Sequence, residues 1–362
     1  MPRVTAVDAT RLAAYAVPRP FELVQVLGSA LLGAAPAVLT NARQSSQQFY
    51  VDPDTERLAF PIVVGATKAL QQLLSRYTGV TPAPAQLQQP WLASNRNTFT
   101  ANAINFQRTF APSGIQAPSF SFANSSDAWF NESVLAATRT AAILTAQESL
   151  IIQISAQSNA ISAAHDRAAI VRAYQGLPVA LFVLQIIHDD EKSAPIADSA
   201  YIDLVKSLSQ QAPVIPSKLG FFGFICVANG AAGFGAGIIG VEEHSEPVLR
   251  TGGGPQTTTK YHVDDVMMVL PPERVVGLTL PSYPCVRPCC NGNIATTLDK
   301  PQKYQHRIRV YRERLDAIGL SGNARNYVRT WLASATSLRQ SNGLIEVNPA
   351  ARMHESSWRP LV

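Results

Sequence analysis

The longest apolar segment of the chain, residues 131–188, is the pattern around which the other elements are predicted. It follows a Ser-Ser-Asp sequence at residues 125–127, whose side chains suit the capping of a helix N-terminus. Apolar residues then recur at near-helical spacing over residues 134–161 and again over residues 164–187. From Leu177 to Ile187 the segment is apolar almost all round, which is typical of a helix inside a large core. The segment predicts two consecutive buried helices, with core positions at Tyr174, Leu177, Leu181 and Leu184.

Shorter periodic segments flank this pair. Helical spacing of apolar residues predicts helices at residues 19–31, 66–77, 200–208, 304–318 and 324–338. Short apolar runs predict strands at residues 58–64, 219–227, 237–241, 266–270 and 275–280. The predicted fold class is mainly α with some β (α+β), in which central buried helices are surrounded by peripheral helices and short strands.

Residues 81–126 lack a period long enough to define an element. They hold only two charged residues, Arg96 and Arg108, and are rich in Pro, Gln, Asn, Ser and Phe. A loop of this length inside a compact domain is usually functional or disordered. We expect an extended arm that neighbouring subunits hold in place. A single domain over residues 1–362 is predicted, with a possible subdivision into residues 1–126, 127–218 and 219–362.

The chain is poor in charge. Of its 362 residues 46% are hydrophobic and 15% are charged, against about 25% charged in a typical domain. Neutral polar residues replace the missing charges, which suits a subunit packed into an assembly, although an Ala-rich protein from a GC-rich genome has the same bias. Four cysteines are too few for a disulfide framework and indicate a reducing compartment. No segment has the features of a membrane span.

Two motifs suggest a bound cofactor or metal, and both are weak. Residues 235–240 match G-x-G-x-x-G, but the sequence after them does not predict the required helix, so a buried glycine turn is the better interpretation. Cys285, Cys289, Cys290 and His306 could supply four zinc ligands, yet an adjacent cysteine pair is atypical of zinc sites. We therefore predict free thiols, no metal and no cofactor.

Catalytic chemistry has no support in the sequence. Histidine and acidic residues at 188–191 and 262–265 follow apolar runs, where charges ordinarily mark the return to solvent. Neither a nucleophile elbow, a phosphate-binding loop nor an H-E-x-x-H motif is present. No catalytic residue is predicted, and we expect a non-enzymatic protein.

Positive charge is concentrated at the C-terminal end. From Lys300 onward there are eleven basic and four acidic residues, whereas residues 1–299 carry a net charge of −2. A surface formed by these basic residues would suffice for a sequence-independent contact with phosphates. A helix that packs on the core and keeps its arginines in solvent gives the same sequence pattern. The candidate RNA-binding residues are Lys300, Lys303, Arg307, Arg309, Arg312, Arg314, Arg325 and Arg329.

Several landmarks share an order along the chain. The N-terminal ones are Arg19-Pro20-Phe21-Glu22-Leu23-Val24-Gln25, Phe49-Tyr50 and Leu58-Ala59-Phe60-Pro61. The later ones are Ser126-Asp127-Ala128-Trp129, the predicted helix at 170–187, the basic helix at 304–319 and Trp358. In this order, over most of its length, the chain resembles the inner-capsid clamp proteins of turreted reoviruses, which include the orthoreovirus sigma-class core protein.

This resemblance implies a mostly helical protein with some β structure that sits on a thin inner shell and locks its subunits together. The implied partners are the major inner-shell capsid protein, other capsid and turret proteins, and double-stranded RNA bound without sequence preference. The expected location is the inner capsid of the virion, with the host cytoplasm during assembly. Two alternatives stay open: a self-assembling coat protein of another small RNA virus, and an intracellular enzyme or nucleotide-binding protein that uses the glycine-rich turn.

Overall fold

The computed structural model describes residues 3–4, 21–60, 64–65, 67–81, 83–187, 198–217, 219–235, 260–344 and 358–362. Seven of the described strands form one sheet, curled into an open half-barrel, in which every neighbouring pair is parallel and the strands follow chain order. They are β1 (Arg3–Val4), β2 (Phe21–Leu27), β3 (Ser46–Asp52), β4 (Ile115–Gln116), β5 (Leu150–Gln157), β6 (Val179–Ile187) and β7 (Val214–Pro216).

Helices fill the connections between these strands, because a parallel pair needs a long crossover. The helix α1 (Gly28–Ser45) joins β2 to β3. Between β3 and β4 lie α2 (Thr55–Leu58), α3 (Lys68–Thr78) and α4 (Gln89–Arg108). The later crossovers contain α5 (Ala128–Ile143), α6 (Ser158–Ser162), α7 (Ala164–Ala173) and α8 (Asp198–Ser209).

A smaller unit follows the sheet. After α9 (Phe222–Ala228) comes an antiparallel hairpin of β8 (Tyr261–Val263) and β9 (Met268–Leu270), then α10 (Pro272–Val276). Two long helices, α11 (Lys300–Leu320) and α12 (Ala324–Ser341), end the described sequence before the C-terminal residues. A capping box starts α11, since Asp299 accepts from the backbone N–H of Gln302 and the Gln302 side chain accepts from the N–H of Asp299.

The two faces of the sheet differ in chemistry. Successive side chains of a strand point to opposite faces. In β5 and β6, Ile152, Ile154, Phe182 and Leu184 are buried in the main core on the helix side. The intervening positions line the concave face of the half-barrel, and there the apolar pattern is broken by glutamine and serine.

The predicted fold class is wrong, because the chain is α/β and its centre is a parallel sheet. Residues 131–188 contain α5 and then two strands, β5 and β6, separated by the short helices α6 and α7. A continuous apolar run is as typical of a strand buried on both faces as of a buried helix. Of the predicted core positions, Tyr174 and Leu184 are buried, whereas Leu177 and Leu181 are only partly so.

The arm predicted at residues 81–126 is also wrong. This segment contains the 20-residue helix α4 and strand β4. Leu92, Phe99 and Phe120 from it are buried in a core that includes residues of β2, β3 and α3. Its scattered aromatic residues therefore pack in the chain's own core. The helix was not predicted because its many neutral polar residues interrupt the apolar period.

Some of the predicted shorter elements are confirmed and others are wrong. The helices α3, α8, α11 and α12 are confirmed near their expected positions. The predicted helix at 19–31 is β2 followed by the start of α1, and the strands predicted at 219–227 and 275–280 overlap α9 and α10 instead. The strand predicted at 237–241 lies outside the described residues. Because β4 and β5 pair in one sheet, that sheet continues across the possible boundary at residue 126.

Replacing Glu148 by glutamine should remove a pH-dependent part of the stability. Arg108 donates two hydrogen bonds of 2.7 Å to this carboxylate, and they lower its pKa to about 2. A depressed folded-state pKa stabilises the protein above the ordinary carboxyl pKa and loses that effect as pH falls through the folded value. Between about pH 5 and about pH 2.5, wild type should lose about 1–2 kcal/mol more than Glu148→Gln in urea unfolding, since the pair is partly exposed. Parallel pH profiles for the two proteins would contradict this.

Candidate functional site

A layer of polar side chains lies on the concave face of the sheet, towards the carboxyl ends of the strands. We call it the polar layer, and its members are all buried: Gln25, Asp52, Gln116, Gln153, Ser155 and Gln185. One step nearer the amino ends is an apolar layer of Leu23, Tyr50, Ile151, Leu181 and Val183. Ligands of parallel α/β sheets bind at the carboxyl ends of the strands. The polar layer is therefore the candidate functional site.

Asp52, the last residue of β3, is at the centre of this layer. Its Oδ2 accepts a hydrogen bond of 2.7 Å from Gln25 Nε2, and its Oδ1 accepts one of 3.1 Å from Gln116 Nε2. The same two amide groups lie 3.0 and 3.4 Å from Gln153 Oε1. Three neighbouring strands therefore hold the Asp52 carboxylate in one orientation.

Glu56 adds a second carboxylate from the short helix α2. Its Oε2 accepts hydrogen bonds of 2.9 Å from Gln153 Nε2 and 2.8 Å from Ser155 Oγ, and its Oε1 accepts one of 3.2 Å from Gln185 Nε2. Gln153 thus stands between Glu56 and the Asp52 network. Within the described residues, these carboxylates are not grouped with other ligands in the manner that a metal ion requires.

Asp54, between these two acids, has an unusual backbone and environment. Its φ of 55° lies in the left-handed region, which few non-glycine residues adopt and which Asp tolerates better than most. The residue is fully buried, and its Oδ2 accepts from the N–H and the hydroxyl of Ser29 at 3.0 and 2.6 Å. Its Oδ1 accepts no hydrogen bond from the described residues, although Arg57 Nη1 lies 3.6 Å away. A buried polar atom left in this state indicates a ligand, a water or a functional role.

Tyr77 from α3 lies near the same carboxylates. Burial raises its pKa well above the ordinary value, and the negative charges of Asp54 and Asp52 raise it further, so the hydroxyl keeps its proton. Tyr77 Oη and Gln116 Oε1 are also buried without a hydrogen-bond partner among the described residues. A Cβ added to Gly28 would lie 3.0 Å from the Asp52 carbonyl oxygen and 3.5 Å from Tyr77 Oη, so glycine lets α1 begin this close to the site.

The candidate RNA-binding residues are placed in different environments. Lys303 and Arg307 are buried. Arg314 is partly buried, and its guanidinium donates to both carboxylate oxygens of Asp264. Four members are exposed to solvent, namely Lys300, Arg312, Arg325 and Arg329, and Arg309 is partly buried. Of these, Arg312 pairs with Asp316 and Arg329 donates to the Val362 carbonyl. The described helices do not align the eight residues on one exposed surface, and RNA binding stays a prediction.

Other sequence motifs lie apart from the polar layer or beyond the described residues. His262 is buried in β8, and burial, followed by the charges of Arg307 and His306, lowers its pKa well below the ordinary value. Residues 236–240 of the glycine motif and residues 188–191 of the acidic motif are not among those described. None of the described helices combines the length and apolarity needed to cross a membrane.

The polar layer had a signal in the sequence that the helical interpretation missed. Glutamine or serine occurs at every second position near the end of β5, at Gln153, Ser155 and Gln157, inside an otherwise apolar run. A period of two is typical of a strand with one polar face. A second signal is the group Asp52, Asp54 and Glu56, which lies at and directly after the end of β3. Site residues are expected at such a strand end.

Neither a comparison with models of known protein families nor one with curated proteins finds a match for this chain.

Proposed function

We propose that this chain binds a small polar ligand at the carboxyl edge of its half-barrel and acts on it through carboxylate acid–base or nucleophilic chemistry. The observation that carries this proposal is Asp54, a buried acid in a left-handed conformation with one oxygen that accepts no hydrogen bond from the described residues. Strain of this kind persists where the surrounding structure enforces it, and it is concentrated at active sites.

The chemistry of the ligand follows from the atoms left without partners among the described residues. Asp54 Oδ1 and Gln116 Oε1 need hydrogen-bond donors, whereas the protonated Tyr77 hydroxyl needs an acceptor. Sugars and nucleosides offer both kinds of group on one small molecule. In this proposal the Asp54 carboxylate takes a proton from a hydroxyl of the ligand, or it attacks the anomeric carbon of a glycoside or nucleoside, from which the aglycone or base leaves with the electron pair of the broken bond. Asp52 and Glu56, whose oxygens already accept amide hydrogen bonds, hold the surrounding groups in place.

This proposal departs from the expectation of a non-enzymatic capsid protein. The fold class predicted with that expectation had central helices and peripheral strands, and the central parallel sheet contradicts that fold class. The charged share of 15% still favours a subunit packed in an assembly, so a structural role in a virion, with shell proteins and RNA as partners, is the second candidate. Sedimentation velocity of the purified chain distinguishes a monomer from an assembling subunit.

The Asp54→Asn variant tests the first candidate. Asparagine keeps the shape and the contacts to Ser29, tolerates the left-handed region and removes a buried charge, so unfolding free energy should stay equal or rise by up to about 1 kcal/mol. A thermal-shift panel of sugars, nucleosides and nucleotides should contain at least one compound that stabilises wild type and has no effect on the variant.

The matched control is Asp203→Asn, at a carboxylate that is 57% exposed on α8. This variant should retain both the stability and the ligand response of wild type. If Asp54→Asn instead loses more than about 2 kcal/mol, the carboxylate has a structural role and the proposal fails. The proposal also fails if no compound of the panel shifts wild type, or if wild type and Asp54→Asn respond equally.

A further inference from the structure

A cluster of three cysteines and one histidine lies in a small core of its own. This core contains buried residues of β8, β9 and α10 and of the segment 277–299, which has neither helix nor strand. Cys285, Cys289 and Cys290 come from that segment, and His306 comes from the second turn of α11. All four side chains are buried, with at most 4% exposure, and the cysteines are free thiols.

Three of the potential ligand atoms form one compact group, and Cys289 Sγ, which lies outside that group, is close to two of its members. The relevant atoms of Cys285, Cys290 and His306 all lie within 4.8 Å of one another. Cys289 Sγ is 3.6 Å from Cys290 Sγ and 4.0 Å from His306 Nδ1, and Cys290 Sγ is 3.3 Å from the same Nδ1. Zinc bonds of about 2.3 Å to sulfur and about 2.0 Å to nitrogen give tetrahedral edges of about 3.8 Å between sulfurs and about 3.6 Å between sulfur and nitrogen.

The histidine presents the correct nitrogen for a metal. His306 Nε2 lies 2.9 Å from the backbone carbonyl of His262, which can only accept, so Nε2 holds the proton. In the neutral ring Nδ1 then has a lone pair on the side of the cysteines, where Tyr261 Oη and Cys290 Sγ each lie 3.3 Å from it. The Tyr261 ring stacks on the imidazole with centroids 4.3 Å apart and fixes its plane. An outer partner that sets the tautomer and orientation of a histidine is characteristic of metal ligation.

The loop around the cysteines is closed by its own backbone. The N–H of Gly292 donates to the Cys285 carbonyl at 2.9 Å, and the N–H of Cys290 donates to that of Arg287 at 2.9 Å. The chain reverses direction at Asn291 and Gly292, whose φ values of 49° and 77° lie in the left-handed region. Arg287 Nη1 lies 3.5 Å from Cys285 Sγ, where its positive charge favours a thiolate. The loop thus gathers three sulfurs on one side and offsets part of their charge.

We propose that Cys285, Cys289, Cys290 and His306 bind one zinc ion through three Sγ atoms and Nδ1. Four buried protein ligands leave no open position for a substrate, so the site is structural. The role of the metal in this proposal is to connect the segment 277–299 to α11, because that segment has no helix or strand of its own to hold it in place. Small cores of this kind commonly need a metal or a disulfide. The inference does not depend on the function proposed for the polar layer.

The first test measures metal in the full chain purified without chelator. Elemental analysis should find about one zinc ion per chain. Replacement by cobalt should give thiolate-to-metal charge-transfer absorption and the intense visible bands of tetrahedral cobalt. Chelation should lower the melting temperature, because the metal binds the folded state alone. A wild-type chain without stoichiometric zinc and without the tetrahedral cobalt spectrum overturns the proposal.

Variants identify the ligands. Cys290→Ser and His306→Gln should each reduce bound zinc severalfold, whereas Cys226→Ser, at a buried cysteine of α9, should keep the full amount. Native wild type provides a measurement that does not require variants to fold: its three clustered thiols should react with maleimide only after chelation. Equal zinc in Cys290→Ser and Cys226→Ser would refute the assignment. So would a wild-type mass two hydrogens short, which indicates a disulfide in place of the metal.

Discussion

Replacing Leu184 by alanine should lower the free energy of unfolding by about 2–5 kcal/mol. Leu184 is in the interior of β6, has no exposed surface and belongs to the main core between the sheet and its helices. Its pairing with Ile154 in β5 keeps the backbone in place, so the surrounding side chains can close only part of the cavity. Urea denaturation monitored by circular dichroism measures the change.

Leu181→Ala is the matched control for this prediction. Leu181 is in the same strand but only partly buried, on the concave face. Its loss should be clearly smaller than that of Leu184. A Leu184→Ala change below about 0.5 kcal/mol, or a larger loss at Leu181, would show that the helix side of β6 is not the main core.

Replacing Arg314 by methionine should cost about 3 kcal/mol of unfolding free energy. Asp264 is 4% exposed as a side chain, and Arg314 donates to both of its carboxylate oxygens. Without the guanidinium, the buried carboxylate has no charge partner, and an uncompensated buried charge strongly destabilises the folded state. The cation also lies 4.6 Å from the Trp331 ring centroid, and this contact is lost as well.

The double variant Arg314→Met with Asp264→Asn should recover most of this loss, because no uncompensated charge then stays buried. The exposed Arg312, paired with Asp316 across one helical turn, supplies the control, and Arg312→Met should change stability by less than about 0.5 kcal/mol. If Arg314→Met leaves stability unchanged but weakens binding to double-stranded RNA in a salt-dependent manner, Arg314 is an RNA contact and our structural assignment is wrong.

Local sequence determined the helices whose apolar period is clear. In α12, Val328, Trp331, Leu332 and Ala335 are buried at the predicted spacing. The side chain of Asn323 caps this helix by accepting a hydrogen bond from the N–H of Asn326. A helix of this kind can be read locally because its stripe and its exposed face lie within one continuous segment.

The central strands could not be assigned in this way. In β6 nine consecutive residues include eight that are apolar, and both a buried helix and a strand buried on two faces satisfy such a run. The decision came from pairing: β6 takes its neighbours from β5, about thirty residues earlier, and from β7, about thirty residues later. Hydrogen bonds at that separation leave no trace in local spacing.

The two sites show the same division. The sequence supplied the residue types, namely glutamine or serine at alternate positions in β5, acids at and after the end of β3, and three cysteines within six residues of one another. Tertiary structure decided which of them meet. Glu56 reaches Gln185 only because parallel register places β5 and β6 beneath α2, and His306 faces Cys290 only because α11 packs against β8. Spacing along a chain limits which groups can approach each other, but distances between elements depend on long-range packing, which no short segment specifies.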